Sequence, residues 1–184
     1  MHRRTFFSAA LLLGLAGCGV PLTQRSAPRP VMARSYDLRV FRFQALPDLT
    51  VSESESLYPT ADIVWRGDPS GPRITQIGDM FEEAADRSRG VLSGRTPVDV
   101  EVTLVRFHGV TNRTRYSVGG VYNVVFDLTV RDASTGAVIE PPRRIVGNLD
   151  APGGEEAVRL EERGQTERVR VTDFLTSLLR AQLV

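Results

Sequence analysis

The chain has 184 residues, 41% of them hydrophobic, and a formal net charge of +1, which suits one globular domain with a short appendage. Its 23 basic residues, all arginine, are balanced by 22 acids, so no attraction to nucleic acid or to anionic lipid in general is expected. A single cysteine excludes an intramolecular disulfide, and two histidines, one of them His2, leave too few for histidine triads or paired-histidine zinc sites.

The first element is a leader. Arg3 and Arg4 precede an apolar run from Phe6 to Leu15, closed by small residues, the three-part layout of a secretory signal peptide. Residues 5–17 fall short of the roughly 20 apolar residues that a spanning helix needs, so cleavage is expected rather than an uncut anchor. The tract Leu15-Ala16-Gly17-Cys18 resembles the lipobox of bacterial lipoproteins. That resemblance implies that the Cys18 thiol receives a diacylglycerol and that the leader, residues 1–17, is cut away. Cys18 then anchors the chain to a membrane and leaves no thiolate for catalysis or metal binding. Losing Arg3 and Arg4 with the leader takes the formal charge from +1 to −1. The segment His2-Arg3-Arg4-Thr5-Phe6-Phe7 resembles a twin-arginine export signal and equally fits the basic start of a general secretory one; both routes stay open. Gly19, where retained lipoproteins carry Asp, resembles those sent to the outer membrane.

Residues 18–35 hold Pro21, Pro28 and Pro30 among polar residues and read as a tether. At roughly 3.3 Å per residue it could reach about 55 Å. One domain over residues 36–184 follows. Tyr36, Leu38 and Val40 alternate with Asp37 and Arg39, a strand running to about Phe43. After the polar run Ser52-Glu53-Ser54-Glu55-Ser56, the tract Ala61 to Asp68 reads as a short strand entering a turn at Gly67 and Pro69. Pro72 opens a helix whose apolar stripe is Ile74, Ile77, Met80, Phe81, Ala84 and Ala85, with Gly90 as the stop. Three alternating strands come next, around Val98–Leu104, Tyr122–Val130 and Ile145–Leu149, with turns over Gly109–Gly120 and Asp132–Gly136. Glu155–Arg163 is helical in composition, Gly164 interrupts it, and Val171, Phe174, Leu175, Leu178 and Leu179 stripe a last helix. The expected fold is α+β: a two-layer sandwich, its antiparallel sheet of about four strands covered on one face by two main helices.

The lipobox, the tract Tyr58-Pro59-Thr60-Ala61-Asp62-Ile63-Val64-Trp65-Arg66-Gly67-Asp68-Pro69, the turn Asp132-Ala133-Ser134-Thr135-Gly136 and the ending Gly164-Gln165-Thr166 resemble a family of small uncharacterised proteobacterial lipoproteins. Its domain is one of unknown function, so the resemblance carries no catalytic residue or ligand. In layout alone the chain is similar to the auxiliary lipoproteins of envelope transport systems.

The strongest candidate site beyond Cys18 is the tract with Asp62, Trp65, Arg66 and Asp68. Trp65 could anchor a partner with Arg66 and Asp68 as its polar rim, since Trp and Arg are enriched at interface hot spots. The structural alternative packs Trp65 between sheet and helix while Asp68 caps the turn. Arg66-Gly67-Asp68 also spells a cell-adhesion tripeptide, read as coincidence. Paired carboxylates, Asp62 with Asp68 or Glu53 with Glu55, could in principle do acid–base work, but Glu53 and Glu55 read as solvated. His108 lacks companion ligands for a metal, and Asn112-Arg113-Thr114 is a glycosylation sequon of no use in a bacterial envelope. The loop from Arg106 to Arg115 holds three arginines that could bind an anion, or a solvated hairpin. No catalytic residue, cofactor or metal is expected. The function expected is that of a lipid-anchored, non-catalytic accessory or interaction domain facing the periplasm, with an envelope protein as partner. A module binding a lipid or small ligand between sheet and helices is the alternative.

Overall fold

The computed structural model describes residues 34–184; the leader, Cys18 and the tether up to residue 33 lie outside the described residues. The element order is β1 (Tyr36–Ala45), β2 (Ile63–Val64), α1 (Arg73–Ser88), β3 (Thr96–His108), α2 (Asn112–Arg115), β4 (Gly120–Asp132), β5 (Val138–Ala151), α3 (Glu155–Glu162) and α4 (Glu167–Leu183). The strands form one sheet in the order β1-β3-β4-β5, and the two-residue β2 also pairs with β3, beyond the end of β1. The two-layer α+β reading holds, with one correction. The sheet is mixed: β3, β4 and β5 form the expected antiparallel meander, whereas β1 and β2 run parallel to β3. A parallel neighbour needs a crossover rather than a hairpin, and α1 supplies it.

Two bulges decide which side chains face the helices. A register shift between Leu38 and Val40 moves the alternation by one residue. Leu38 is buried and Phe41 and Phe43 pack on the core, while Val40, expected on the core face, is 40% exposed. A second shift, between Leu104 and Arg106, lets Leu104 and Phe107 both point inward. Arg106 and His108, flanking Phe107, therefore stand on the open face of the sheet.

Helix α1 buries Ile77, Met80, Phe81, Ala84 and Ala85, the expected stripe except for Ile74, which is only half-buried. It packs beside α4 and across β1, while α4 lies on β5 with Val171, Leu175 and Leu179 buried. Gly147 of β5 permits that last approach, because a Cβ there would stand 2.7 Å from the Phe174 ring and 2.8 Å from Leu178. Aromatic rings fill the space between the layers: Phe81 meets Phe126 edge-on at 5.3 Å between centroids, and Trp65 meets Phe107 at 5.6 Å. Full burial of each such side chain stabilises by about 1.5–3 kcal/mol.

One charged cluster is also buried. Arg115 pairs with Glu161 at the end of α3 and, at 3.1 Å, with Glu167 at the start of α4. Burial pushes the Glu167 carboxyl above its ordinary value against the pull of Tyr122, Arg115 and Arg170. The backbone near this cluster is equally close-packed. Gly119 has φ of 71° and a Cβ there would come within 2.5 Å of the Ala151 carbonyl, whereas Gly136, with φ of 73°, faces open space. Gly136→Ala should therefore cost only the left-handed backbone penalty, about 1–2 kcal/mol. Gly119→Ala adds a backbone clash and should cost clearly more. Thermal unfolding of the two variants checks this, and equal losses would contradict the packing described.

Candidate functional site

The tract from Ala61 to Pro69 folds as a strand and turn, but its side chains are largely turned inward. Trp65 is fully buried, and its ring lies over Gly67, where a Cβ would meet ring carbons at 2.2 Å. The indole Nε1 donates to Asp68 Oδ2 at 2.8 Å, and the same oxygen accepts from Arg168 of α4 at 2.7 Å. Trp65 and Asp68 thus lock the turn to the last helix, and the indole is not available as a surface anchor. The side chain of Arg66 is only 4% exposed. It is a buried cation, not a rim group.

Arg66 and Arg73 explain the Ser-Glu repeat. Arg66 donates from Nε to Glu55 Oε1 at 2.8 Å and from Nη1 and Nη2 to the carbonyls of Trp65 and Ser52 at 2.8 and 3.0 Å. Arg73, at the start of α1, makes a two-pronged pair with Glu53 at 2.8 and 3.0 Å and donates to the Asp68 and Pro69 carbonyls. Glu53 and Glu55, expected to be solvated, are about half exposed and at the same time serve as the counter-ions of two buried guanidinium groups. A buried cation without a partner is costly, so the carboxylates must come to it. Thr111 and Thr114 complete the attachment by donating to the carbonyls of Ser56 and Leu57 at 3.0 and 2.8 Å.

Asp62 closes the neck of the same loop. Its Oδ2 accepts from the backbone N–H and the hydroxyl of Thr50 at 2.9 and 2.7 Å, and its own N–H donates to the Thr50 carbonyl. The Thr50 hydroxyl bond foremost, with the backbone bond beside it, holds the Asp62 carboxyl below its ordinary value. Residues 51–61 therefore form a compact loop with touching ends, pinned along residues 52–57. Its tip is Tyr58, 81% exposed, followed by the buried Pro59 and the exposed Thr60.

The tip overhangs the open face of the sheet. Thr50, Tyr58, Pro59, Thr60, Ala61, Asp62, Arg106 and His108 surround a cleft of about 510 Å³. A smaller one of about 120 Å³ shares Tyr58, Pro59 and His108 and continues to Val110 and Val121. The His108 Nδ1 lies 2.9 Å from the Ala61 carbonyl, which places a proton on Nδ1 and, in the neutral ring, leaves Nε2 an acceptor. Arg106 is half-buried and has no hydrogen-bond or ion-pair partner among the described residues; arginines of comparable or deeper burial there all have one. The three arginines of the loop that could bind an anion diverge: Arg115 is buried on Glu161 and Glu167, Arg113 is exposed, and Arg106 alone faces the cleft. Among the sequence candidates, Asp62 and His108 meet here. Asp68 lies with Trp65 on the α4 side, away from Asp62.

Residues 36–184 match a family of unknown function, DUF6778, and this stretch is most of the chain. The chain belongs to that family. No curated protein matches it. Among solved structures, it is similar in outline to a Xanthomonas campestris protein of the DUF330 family, with 16% identity, 86% of this chain and 90% of that one covered, and a TM-score of 0.48. It is also similar to a minor lipoprotein of Acinetobacter baumannii, with 8% identity, coverage of 80% and 94%, and a TM-score of 0.33. At these values no residue role passes from either protein to this one.

The strap on the loop has a definite pH dependence. The Arg73 hydrogen bonds chiefly hold Glu53 below its ordinary value of 4.5; at Glu55 burial pulls upward but the Arg66 and Arg113 bonds outweigh it. Both folded values are lowered, so the stabilisation is complete above 4.5 and lost as pH falls through the folded values. Glu53→Gln with Glu55→Gln should mimic that loss at neutral pH, removing about 1–2 kcal/mol of local stability. Thermolysin should then cut before Leu57 about tenfold faster while global unfolding changes little. Unchanged cleavage would mean that the arginines do not hold the loop.

Proposed function

We propose that this protein is a lipid-anchored lipoprotein of the bacterial envelope, held by Cys18 and presenting a non-catalytic accessory domain to the periplasm. The observation that carries the reading is the leader ending in Leu15-Ala16-Gly17-Cys18, with basic residues, apolar run and cysteine in the order lipid modification requires. Gly19 favours the outer membrane. A non-catalytic role is supported by the uses to which the candidate acids are put. Asp62 clasps a loop, Asp68 holds Trp65 and Arg168, and Glu53 and Glu55 neutralise Arg73 and Arg66.

The partner surface moves accordingly from Trp65 to the loop tip. Tyr58 is a large aromatic side chain displayed on a loop whose flanks are fixed, so little conformational freedom would be lost when it docks. An envelope protein is the partner proposed for it, and a photo-crosslinking residue at position 58 in intact cells would capture that protein.

The apolar area that stabilises the domain is internal to residues 36–184, so folding should be independent of the lipid. A chain starting at Arg34 is expected to unfold cooperatively by heat, and full-length Cys18→Ala is expected to fold but leave the membrane fraction. Mass spectrometry of the wild-type N-terminus should find lipid on Cys18. Cys18→Ala remaining at the membrane, or wild type recovered unmodified, would overturn the reading.

A further inference from the structure

The cleft under the loop tip pairs one unsatisfied cation with one half-satisfied anion. The Arg106 guanidinium carries five N–H donors and uses none of them on a described residue. Across the β2–β3 step, Asp62 spends Oδ2 on Thr50, whereas Oδ1 accepts nothing among the described residues. The two residues are neighbours beside the β2–β3 pairing, since the Phe107 N–H donates to the Asp62 carbonyl, and the charge of Arg106 is felt at the Asp62 carboxyl. Yet no Arg106 nitrogen comes within the 4.0 Å of an Asp62 oxygen that an ion pair requires. Thr50 holds the carboxylate on the loop side, and the opposite charges stand apart with the cleft between the loop and the sheet.

Arg106 and Asp62 together bring no net charge to the cleft, and that selects among ligands. A simple anion drawn to Arg106 meets Asp62, and a simple cation drawn to Asp62 meets Arg106. A molecule carrying both charges a few Å apart satisfies each. The other lining groups fit such a ligand. His108 offers Nε2 as an acceptor and Tyr58 an aromatic ring, both suited to an ammonium. The Thr60 side chain, exposed at the rim, adds a hydroxyl donor for acidic oxygens. The volume of about 510 Å³ lies in the range of small-molecule sites.

We propose that the cleft lined by Tyr58, Asp62, Arg106 and His108 binds a small zwitterion, with a phosphate or carboxylate on Arg106 and an ammonium at Asp62. This chemistry is shared by an amino acid and by a phosphoethanolamine headgroup. The site lies on the open face of the sheet rather than between sheet and helices, where Trp65, Phe81, Phe107 and Phe126 fill the space.

Calorimetric titration of the full chain in a maltoside detergent tests the proposal. The probes are phosphoethanolamine and alanine, with inorganic phosphate and ethanolamine as the single-charge halves. At least one zwitterion should bind about tenfold or more tightly than either half. Phosphoethanolamine binding without alanine binding assigns a headgroup, the reverse assigns an amino acid, and binding of both leaves the class as stated. Arg106→Gln removes no contact with a described residue, so it should melt like wild type and bind the zwitterion at least about tenfold more weakly. Asp62→Asn should weaken it similarly, and its melting curve reports whether the loop clasp survives. Phosphate binding as tightly as phosphoethanolamine, no zwitterion binding at all, or Arg106→Gln binding like wild type would each overturn the proposal.

Discussion

Two guanidinium groups buried beside the turn, those of Arg66 and Arg73, set the arrangement of everything around them. Neither can lose its charge, and neither can stay buried without acceptors. The backbone supplies part of the need through the carbonyls of Ser52, Trp65, Asp68 and Pro69. The remainder comes from Glu53 and Glu55, about half exposed themselves, on a polar run with no apolar reason to lie against the domain. An electrostatic demand of the core thus becomes a conformational instruction to a surface loop.

The consequence is a rigid overhang. With its neck tied by Thr50 and Asp62 and its near side by the arginines and threonines, the loop can expose Tyr58 without becoming mobile. Beneath it the bulge between Leu104 and Arg106 places Arg106 and His108 on the open face. With Leu104 inward, a strand without that bulge would have turned Arg106 into the core and Phe107 out of it. The cleft therefore depends on two irregular features, a strapped loop and a bulged strand, carried by the sheet. This is the usual division of labour between scaffold and site.

The buried Arg115 cluster does for the later helices what Arg66 and Arg73 do for the loop. It joins α2, α3 and α4 through one guanidinium and two carboxylates, near the close approach of Gly119 to Gly153. Tyr122 lies against the same group and against Trp65, so polar cluster and aromatic core are in direct contact.

The sequence by itself determined the class of the fold and most of its elements, because burial of one face imposes a period that can be read directly. The α1 stripe, the alternation of Val98 to Leu104 and of Tyr122 to Val130, and the α4 stripe all correspond to buried faces. The family, too, was legible in short tracts. Only the tertiary structure decided the parallel placement of β1, the two bulges, and the roles of the charged residues. Parallel pairing depends on where a crossover helix lands, and a bulge inserts one residue without changing composition. The partners of Arg66 and Arg73 lie 11 and 20 residues away, and Asp68 meets Arg168 across 100. No periodicity encodes such pairings, so Glu53 and Glu55 read as solvated without their arginine partners, and Arg106 as one loop arginine among three. Folding alone separates the arginines that are satisfied from the one that faces a cleft, because satisfaction is a property of distance in space.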